Sequence, residues 1–538
     1  MEAFRLQEQR FTRIRDLLER GVYHIASPLR MSAYLSPEPL PFARRMTGRN
    51  IELLPGDQLG KLFDCAWVRF TGQIPAQFPE EAKDSPEKHW CGLIDLSAEG
   101  LIVDENGKPL QGLTSATSRN EFPLGLWGKR NVDLTKLAET DGSLDFWADF
   151  TCCDVEGQYR NQGRVKEAAV AWVDDRCRDA FYDWQVCQSL FVGLMEKGDA
   201  YGEEVGAVLE EASARVETAF GLNAPAEGGA AVSGEALFRL RDAYFTETPL
   251  EASGEKPSFL ADPETEPTLK GQIVWPSALL SEVRHLLGAV LSRPSEGSGL
   301  TYSAIGHSHL DLLFLWTKRE TVRKCARTLA NVFRMMELDP DAKFTLSQAP
   351  VYQWMKEEYP SLYAKMLQRI REGRLEPVGA LYIECDTNLP GGESLVRQLL
   401  YGKRFFQKEL GADMKVCFLP DVFGYSAALP QLLKLADVPY FMTNKLSMND
   451  TNRFPRYTFW WYGLDGSRVL THMPPENSYQ SAAVPQMPIY GEAHDSDRDL
   501  CPRGLMLYGL GDGGGGPGLE HIERRKRIRD LKGCPPFE

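Results

Sequence analysis

The sequence predicts an α/β protein whose distorted (β/α) barrel-like domain is preceded by a β-sandwich-like domain and a helical segment. From about residue 296 onward, short strand-like apolar runs alternate with helical patterns, which is typical of a sheet built from strand–helix units. The first 160 residues instead carry short alternating runs between turn signals, and the stretch 161–295 has the longer apolar spacing of helices. A chain of 538 residues is long enough for about two to four domains. We therefore divide it at 1–160, 161–295 and 296–538.

The N-terminal region has the pattern of antiparallel strands. Ala66–Thr71 alternates between apolar and polar side chains, and Leu144–Thr151 is an alternating aromatic run. Leu101–Asp104 leads into Asn106-Gly107, a strong short-range hairpin signal. Short strands separated by turn signals indicate a sandwich or jelly-roll-like module.

The middle region is predicted to be helical. Side chains in Lys166–Ala219 follow helical spacing, and Pro276–Leu291 has a second such pattern. Between them, Glu251–Thr268 is rich in Pro, Glu and Ser and is predicted to be an exposed linker. We interpret the aromatic residues of these helices as core rather than as a binding site.

Composition and charge argue against several classes of protein. The net charge of −14 argues against general nucleic-acid binding. No segment approaches the roughly 18 consecutive apolar residues of a membrane span, and the polar start of the chain has no apolar signal core. The eleven cysteines are scattered and form no CxxC pair, which favours a reducing cytoplasm over secretion. We therefore expect a cytoplasmic protein that binds neither nucleic acid nor membrane.

The region from residue 296 is predicted to alternate strands with helices. The candidate strands are Tyr302–Ile305, Lys343–Leu346, Leu375–Ile383, Lys415–Leu419, Tyr440–Thr443, Arg468–Thr471 and Leu505–Leu510. The polar side chains that follow them are His309 and Asp311, Gln348, Glu384 and Asp386, Asp421, Lys445, His472, and Asp512. In α/β folds the carboxyl ends of the strands hold the chemistry. The series therefore indicates one active mouth, because a solvated loop explains only one such residue at a time.

The segment Ala304–Asp311 has the spacing of a metal site. His307, His309 and Asp311 lie two positions apart, so they share one face of an extended backbone. Imidazole and carboxylate together are ligands of first-row metals, most often zinc. The alternative is an ordinary histidine pair on the surface or in the core.

Two further motifs follow later strands. In Phe418–Ser426, Asp421 leaves an apolar strand and Gly424 allows a tight turn. That carboxylate has the position of a metal ligand, a nucleophile or both, or else of a helix N-cap. The run Gly509–Pro517 contains Asp512 and is either a flexible loop or a backbone that approaches a ligand closely. It lacks the Lys-Ser/Thr of a P-loop and does not predict phosphate binding.

Five motifs stand in a definite order along the C-terminal part of the chain. They are Gly306–Asp311, Leu419–Ser426, Thr443–Ser447, Leu464–Val469 and Gly511–Pro517. In this order they resemble the class II α-mannosidases of glycoside hydrolase family 38, in particular the cytosolic and bacterial branch. The resemblance implies a retaining enzyme that hydrolyses terminal non-reducing α-D-mannose residues of oligosaccharides or glycans. It also implies a cofactor, Zn²⁺ or another divalent cation such as Co²⁺.

The resemblance further implies roles for particular residues. His309 and Asp311 match metal ligands of the family, and Asp421 matches the carboxylate that is both ligand and nucleophile. Phe423 matches an aromatic residue that packs near the bound sugar. Lys445 lies where the family has a basic residue near the catalytic aspartate.

The acid/base carboxyl has three candidates. We choose Asp512, with Asp450 and Asp465 as the alternatives. His307 and His472 are interpreted as groups that orient the metal ligands.

The chain departs from the family pattern in three ways. Phe418 and Phe314 replace tryptophans, and the chain ends at Glu538 with nothing that matches the C-terminal half of the family, which holds a further metal histidine. We therefore expect this chain alone, as a truncated member, to bind metal weakly and to show little activity. The alternatives are a catalytically inactive, sugar-binding fragment and a metal-dependent amidohydrolase. The latter needs more strand-end histidines than His472 supplies. A homo-oligomer is compatible with the sequence.

Overall fold

The computed structural model describes residues 2–83, 88–115, 130–158, 163–222, 273–449 and 451–538. Two features predicted from the sequence lie outside these residues, namely the linker Glu251–Thr268 and the acid/base alternative Asp450. Within the described ranges, every helix is too short or too polar to cross a lipid bilayer.

The strands of the described residues are numbered in chain order. They are β1 Tyr23–Pro28, β2 Arg30–Ser36, β3 Arg49–Leu53, β4 Cys65–Gln73, β5 Trp90–Asp95, β6 Glu99–Val103, β7 Pro109–Leu113, β8 Asn131–Asp133, β9 Ser143–Thr151, β10 Glu167–Val173, β11 Thr301–Gly306, β12 Phe344–Leu346, β13 Leu375–Pro377, β14 Val416–Phe418, β15 Tyr440–Met442, β16 Thr458–Tyr462, β17 Arg468–His472 and β18 Arg503–Tyr508.

The helices are numbered in the same way. They are α1 Glu2–Glu19, α2 Asp175–Lys197, α3 Tyr201–Ala219, α4 Ser277–Leu291, α5 Lys318–Leu338, α6 Ala349–Glu358, α7 Pro360–Arg371, α8 Gly392–Leu410, α9 Leu429–Leu435, α10 Gln486–His494 and α11 Leu519–Ile528.

The N-terminal part is a sandwich of two antiparallel sheets. One sheet has the strand order β3-β2-β4-β9-β6-β7, and the other has the order β1-β10-β5-β8. Apolar side chains from both sheets meet between them, including Phe70 and Phe146 from the first and Ile94 and Val170 from the second. Because side chains alternate along a strand, each strand contributes every second residue to this layer. The sandwich-like architecture predicted from the alternating pattern is confirmed.

The strand β10 lies in a region predicted to be helical from Lys166 onward. It pairs with β1 on one side and β5 on the other, and α2 begins only at Asp175. The carboxylate of Asp174 caps α2 by accepting hydrogen bonds from two backbone amides of its first turn. The helical prediction is therefore wrong for residues 166–174, because two neighbouring strands take this segment into their sheet.

Helices α1 to α4 share one core. Phe11 of α1 packs against Trp184 and Phe191 of α2, and Nε1 of Trp184 donates a hydrogen bond of 3.0 Å to the carbonyl of Phe11. Leu209 of α3 and Leu287 of α4 are buried in the same core. The core of the middle helical segment is therefore shared by α1, a helix at the start of the chain that the strand-like interpretation of the N-terminal region did not anticipate.

The C-terminal part is α/β, and its strands form two four-stranded sheets. The first has the order β13-β12-β11-β18 with all neighbours parallel. The second has the order β14-β15-β17-β16, in which only β16 is antiparallel to its neighbour. Among the described strands, no hydrogen-bonded pair joins the two sheets. The mixed α/β class is confirmed, whereas a closed barrel is not.

A buried ion network joins the sandwich to α5. Its members are Glu99, Asp149, Glu320, Arg323, Lys324 and Arg327. Three carboxylates face three cations, and no member side chain is more than 12% exposed. Removing one partner of a buried ion pair leaves an uncompensated charge and costs about 3–5 kcal/mol. The network therefore holds α5 in one position against the sandwich.

Candidate active site

Polar side chains from both C-terminal sheets meet at the carboxyl ends of the strands. His309 follows β11 and Asp512 follows β18, which are neighbours in the first sheet. Asp421 follows β14 and Lys445 follows β15, which are neighbours in the second. Parallel neighbours end at the same edge of a sheet, so these four residues are brought to one mouth as the sequence predicts.

His309 is the centre of the cluster and is buried. Its Nε2 lies 3.0 Å from Oδ2 of Asp421 and 3.5 Å from Oδ1 of Asp311. Its Nδ1 lies 3.3 Å from Oε2 of Glu384. Burial lowers the pKa of His309, but Glu384, Asp311 and Asp421 together raise it well above the usual value. One imidazole is therefore surrounded by three carboxylates.

Asp512, which follows β18, adds a further carboxylate to the cluster. His309, Asp421 and Asp512 each offer a ligand atom, and these atoms all lie within 4.8 Å of one another. Asp311 is not a member of that group, and its side chain is 35% exposed. The structure therefore brings together the expected ligands His309 and Asp421 with the expected acid/base Asp512. Asp311 stands at the edge, against Nε2 of His309.

The polar atoms of the cluster fit a divalent cation. Both ring nitrogens of His309, Oδ1 of Asp421 and Oε2 of Glu384 are buried and, among the described residues, have ionic neighbours but no hydrogen bond of regular geometry. Buried polar groups normally have partners, and carboxylate and imidazole are ligands of zinc and related ions. The donor set is therefore suited to a metal ion.

Lys445 and Phe423 stand beside the Asp421 carboxylate. The ammonium of Lys445 forms an ion pair with Oδ1 of Asp421 and lies 4.3 Å from the centre of the Phe423 ring. Burial raises the pKa of Asp421, but His309 and Lys445 outweigh it and hold the pKa below the usual value. Asp421 is therefore an anion at neutral pH. The Phe423 side chain, 82% exposed, presents its ring at the mouth.

Asp512 is held in a strained backbone conformation. Its φ is +58°. This conformation is energetically unfavourable for a residue other than glycine, and it persists only where the surroundings impose it. The hydroxyl of Tyr479 donates a hydrogen bond of 2.7 Å to Oδ1 of Asp512. Such outliers occur often at functional sites, so the strain is consistent with a chemical role for this carboxylate.

Four other strand-end or candidate residues have local partners outside the cluster. Asp465 accepts hydrogen bonds from Ser467 within its own exposed turn. Asp386 accepts from two amides of its own loop. Nδ1 of His472 lies 3.0 Å from the hydroxyl of Thr458, and Nδ1 of His307 lies 2.9 Å from the carbonyl of Tyr479.

Burial lowers the pKa of both His307 and His472 to about 4. Both rings are therefore neutral at pH 7. His472 contacts the neighbouring strand rather than a ligand of the expected metal site.

Glu384 and Tyr479 are the residues whose roles the sequence did not reveal. Glu384 contacts His309 and accepts a hydrogen bond from Ser347. Gln348 supports it, because Oε1 of Gln348 accepts from the Glu384 amide while its Nε2 donates to the carbonyl of Leu310. The position of Glu384 after a predicted strand was the available signal. Tyr479 lies in an irregular segment between β17 and α10, where no periodic pattern marks it.

A mixed α/β domain thus brings carboxylates, an imidazole and an ammonium together at its strand ends, where such folds place their chemistry. The comparison with known families is more specific. Residues 299–538 match the domain described as glycosyl hydrolases family 38 N-terminal domain, and residues 27–173 match the domain described as alpha-mannosidase, jelly roll domain. Residues 299–538 of the chain therefore form a glycosyl hydrolase family 38 N-terminal domain.

Three relatives show the extent of the similarity. Alpha-mannosidase 2C1 of Homo sapiens is 31% identical over 506 residues, which are 94% of this chain and 42% of that protein. Alpha-mannosidase G of Dictyostelium discoideum is 46% identical over 235 residues, 44% of this chain and 22% of that protein. Alpha-mannosidase of Saccharomyces cerevisiae is 42% identical over 228 residues, 42% of this chain and 21% of that protein. The chain spans less than half the length of each of these relatives.

Proposed function

We propose that this chain carries the catalytic site of a retaining α-mannosidase that removes terminal non-reducing α-D-mannose residues from oligosaccharides or glycans. The observation that supports this most is the approach of His309, Asp421 and Asp512 within 4.8 Å in a domain of family 38. In this proposal, residues 296–538 form the catalytic domain, preceded by the sandwich-like region 1–160 and the helical region 161–295.

The metal would be held by His309, Asp311 and Asp421, with Asp512 alongside. Zn²⁺, or another divalent cation such as Co²⁺, would orient the sugar hydroxyls and offset negative charge when bound. Glu384 would hold the His309 ring with Nε2 directed to the site, because a carboxylate at Nδ1 selects that tautomer and raises the basicity of the ligand. The two carboxylates and the imidazole match the ligand preference of such ions.

Asp421 would be the nucleophile. Its carboxylate is anionic, and Lys445 pairs with it. One carboxylate oxygen would attack the anomeric carbon, forming a C–O bond while the bond to the leaving oxygen breaks. The product of this step is a glycosyl-enzyme with inverted configuration.

Asp512 would be the acid and then the base. Its proton would pass to the leaving oxygen in the first step, and the resulting carboxylate would take a proton from the water that attacks the glycosyl-enzyme in the second. Tyr479 would hold Asp512 in position through its hydrogen bond. Retaining glycosidases keep their two carboxyls about 5–5.5 Å apart, against about 6.5–9.5 Å in inverting ones. The short approach of Asp421 to Asp512 supports retention.

Phe423 and Lys445 would contact the sugar. An exposed ring at the mouth offers an apolar face, and sugars present C–H groups that pack on such faces. The Phe423 ring is 82% exposed, so it is available to a ligand.

We also propose that the protein works in the cytoplasm, since the cysteines of the described residues are free and nearly all are buried.

An assay of the chain with an aryl α-mannoside tests the proposal. We expect slow aryl alcohol release, a first-formed sugar with the α configuration in proton NMR spectra, and loss of that activity on chelation that added Zn²⁺ or Co²⁺ restores. A β product would show inversion and contradict the proposed roles of the two aspartates. Binding of mannose without turnover by the metal-loaded chain would favour the sugar-binding alternative.

A further inference from the structure

The loop that carries Asp512 lies directly against the N-terminal sandwich. A Cβ atom placed on Gly513 would be 1.7 Å from the carbonyl oxygen of Val155. Val155 follows the sandwich strand β9, and its buried side chain packs against Leu510 of the same loop. Only a residue without a side chain fits at position 513, because the two backbones meet there.

One buried ammonium group binds the sandwich to this loop. The Lys324 side chain has no exposed surface. Its Nζ donates to Oε2 of Glu99 at 2.5 Å and to the carbonyl of Val155 at 2.8 Å, and it lies 3.4 Å from the carbonyl of Gly513. An ammonium has three donors, and here they are directed to strand β6, to the turn after β9 and to the loop that carries Asp512, which we call the glycine loop (residues 509–517).

The surrounding charges keep Lys324 in this position. Glu99 also accepts a hydrogen bond from Arg327 at 3.1 Å, and Arg327 pairs with Glu320. Glu99, Cys153 and Glu320 offer three ligand atoms within 4.8 Å of one another, but Lys324 and Arg327 already supply the positive charge there. A buried ion pair is sensitive to the loss of either partner, so the position of Lys324 depends on the sandwich.

The opposite side of the loop is hydrogen-bonded to α5 and to the segment after β11 that contains His309. The hydroxyl of Thr328 donates to the carbonyl of Gly514, and the amide of Gly514 donates to the carbonyl of His309 at 3.1 Å. Asp512 lies next to these anchored glycines, with its positive φ. A strained conformation needs surroundings that impose it, and Val155, Lys324 and Thr328 belong to those surroundings together with Tyr479.

We propose that the sandwich positions the acid/base carboxyl, and that Lys324 is the positioning residue that transmits its placement to Asp512. The proposal rests on the proposed function, in which Asp512 exchanges the proton. Misplacement of a reacting group by about 1 Å can cost on the order of 100-fold in rate. The sandwich is then part of the active site's support rather than an appended module.

Leaving-group dependence distinguishes this role from a merely structural one. We expect Lys324→Met to lower kcat/KM for methyl α-mannoside by about 100-fold. For dinitrophenyl α-mannoside we expect a loss of less than about threefold, because that leaving group departs without a proton. We expect kcat for this substrate to fall, because the second step still needs a base, and azide, which needs no general base, should restore it. The matched control is Lys356→Met, since Lys356 is exposed and pairs with Glu409 of α8 rather than with the sandwich or the loop.

Amide hydrogen exchange tests the positioning whether or not the chain is active. In Lys324→Met and in Val155→Ala, amides of residues 510–516 should exchange at least about tenfold faster, while those of 416–422 are unchanged. Val155→Ala removes two methyl groups and leaves the ion network intact, so it serves if Lys324→Met does not fold. Equal losses for both leaving groups, or unchanged exchange of 510–516 in the folded variant, would overturn the proposal. Absence of activity in the wild type combined with altered exchange would contradict the proposed function and leave the coupling standing.

Discussion

The hydroxyl of Tyr479 donates a hydrogen bond of 2.7 Å to Oδ1 of Asp512, and the carbonyl of Tyr479 lies 2.9 Å from Nδ1 of His307. One residue therefore connects the loop after β18 with the segment after β11. Burial and the neighbouring Asp512 and Asp421 carboxylates raise the pKa of Tyr479, so its hydroxyl stays protonated and remains a donor. The two proposed catalytic steps both use the carboxyl that this hydroxyl holds.

Asp421→Asn is expected to reduce kcat/KM for aryl α-mannosides by at least about 1,000-fold, because an amide is neither an anionic nucleophile nor a good metal ligand. Circular dichroism should show an unchanged fold. The matched control is Asp341→Asn, an exposed carboxylate that pairs with Arg529, which should retain full activity. Turnover of the Asp421 variant within about tenfold of wild type would remove this residue from the nucleophile role.

Asp512→Ala is expected to abolish hydrolysis of substrates with poor leaving groups and to preserve the first step with dinitrophenyl α-mannoside. Added azide should then yield α-mannosyl azide, since the glycosyl-enzyme is attacked on the face that water normally uses. Mass spectrometry and proton NMR identify this product. Normal hydrolysis of alkyl mannosides by the variant would transfer the acid/base role to Asp450 or Asp465.

Glu384→Gln is expected to weaken Zn²⁺ binding by about 10–100-fold, the usual effect of losing a carboxylate behind a histidine ligand. The reason is that Oε2 of Glu384 lies 3.3 Å from Nδ1 of His309. Competition with a chromophoric chelator measures the affinity independently of turnover. Glu393→Gln, on the exposed start of α8, should bind Zn²⁺ as the wild type does. Equal affinities of the two variants would exclude the support proposed for His309.

Glu476→Gln is expected to make stability less dependent on pH. Burial raises the pKa of Glu476 from 4.5 to about 8, with Ser481 opposing in part. The folded protein therefore keeps a proton that the unfolded chain releases between these pH values. Its stabilising effect is present in full below pH 4.5 and is lost as the pH rises toward 8, on the order of 1 kcal/mol per pH unit.

Urea unfolding at pH 5.5 and pH 8 measures this difference. The wild type should lose stability between the two, and Glu476→Gln should lose less because an amide does not ionise. Glu357→Gln, an exposed residue of α6 that contacts Gln353, serves as the control. Parallel loss in all three proteins would show that Glu476 is not the responsible group.

Local pattern predicted much of the C-terminal architecture. His309, Asp421 and Asp512 were predicted because each follows a short apolar strand, and strand ends are marked within a few residues by alternation and by glycine or proline. The predicted strand Leu375–Ile383 is too long, because β13 ends at Pro377 and Gly379 follows with a φ of +93°. Pairing with neighbours, rather than β propensity, sets the length of such a strand.

By itself the sequence determined the two classes of layer, the strand-end chemistry and the resemblance to family 38, because these depend on spacing within short segments. Only the tertiary structure decided that Asp512 joins His309 and Asp421 in one group of ligand atoms within 4.8 Å, and that β10 joins the sandwich. Only the tertiary structure placed Lys324 between the sandwich and the glycine loop. Each of these results depends on contacts between residues that lie far apart along the chain. Their distances are set by packing of whole sheets and helices and by charge balance in the interior, which no local propensity encodes.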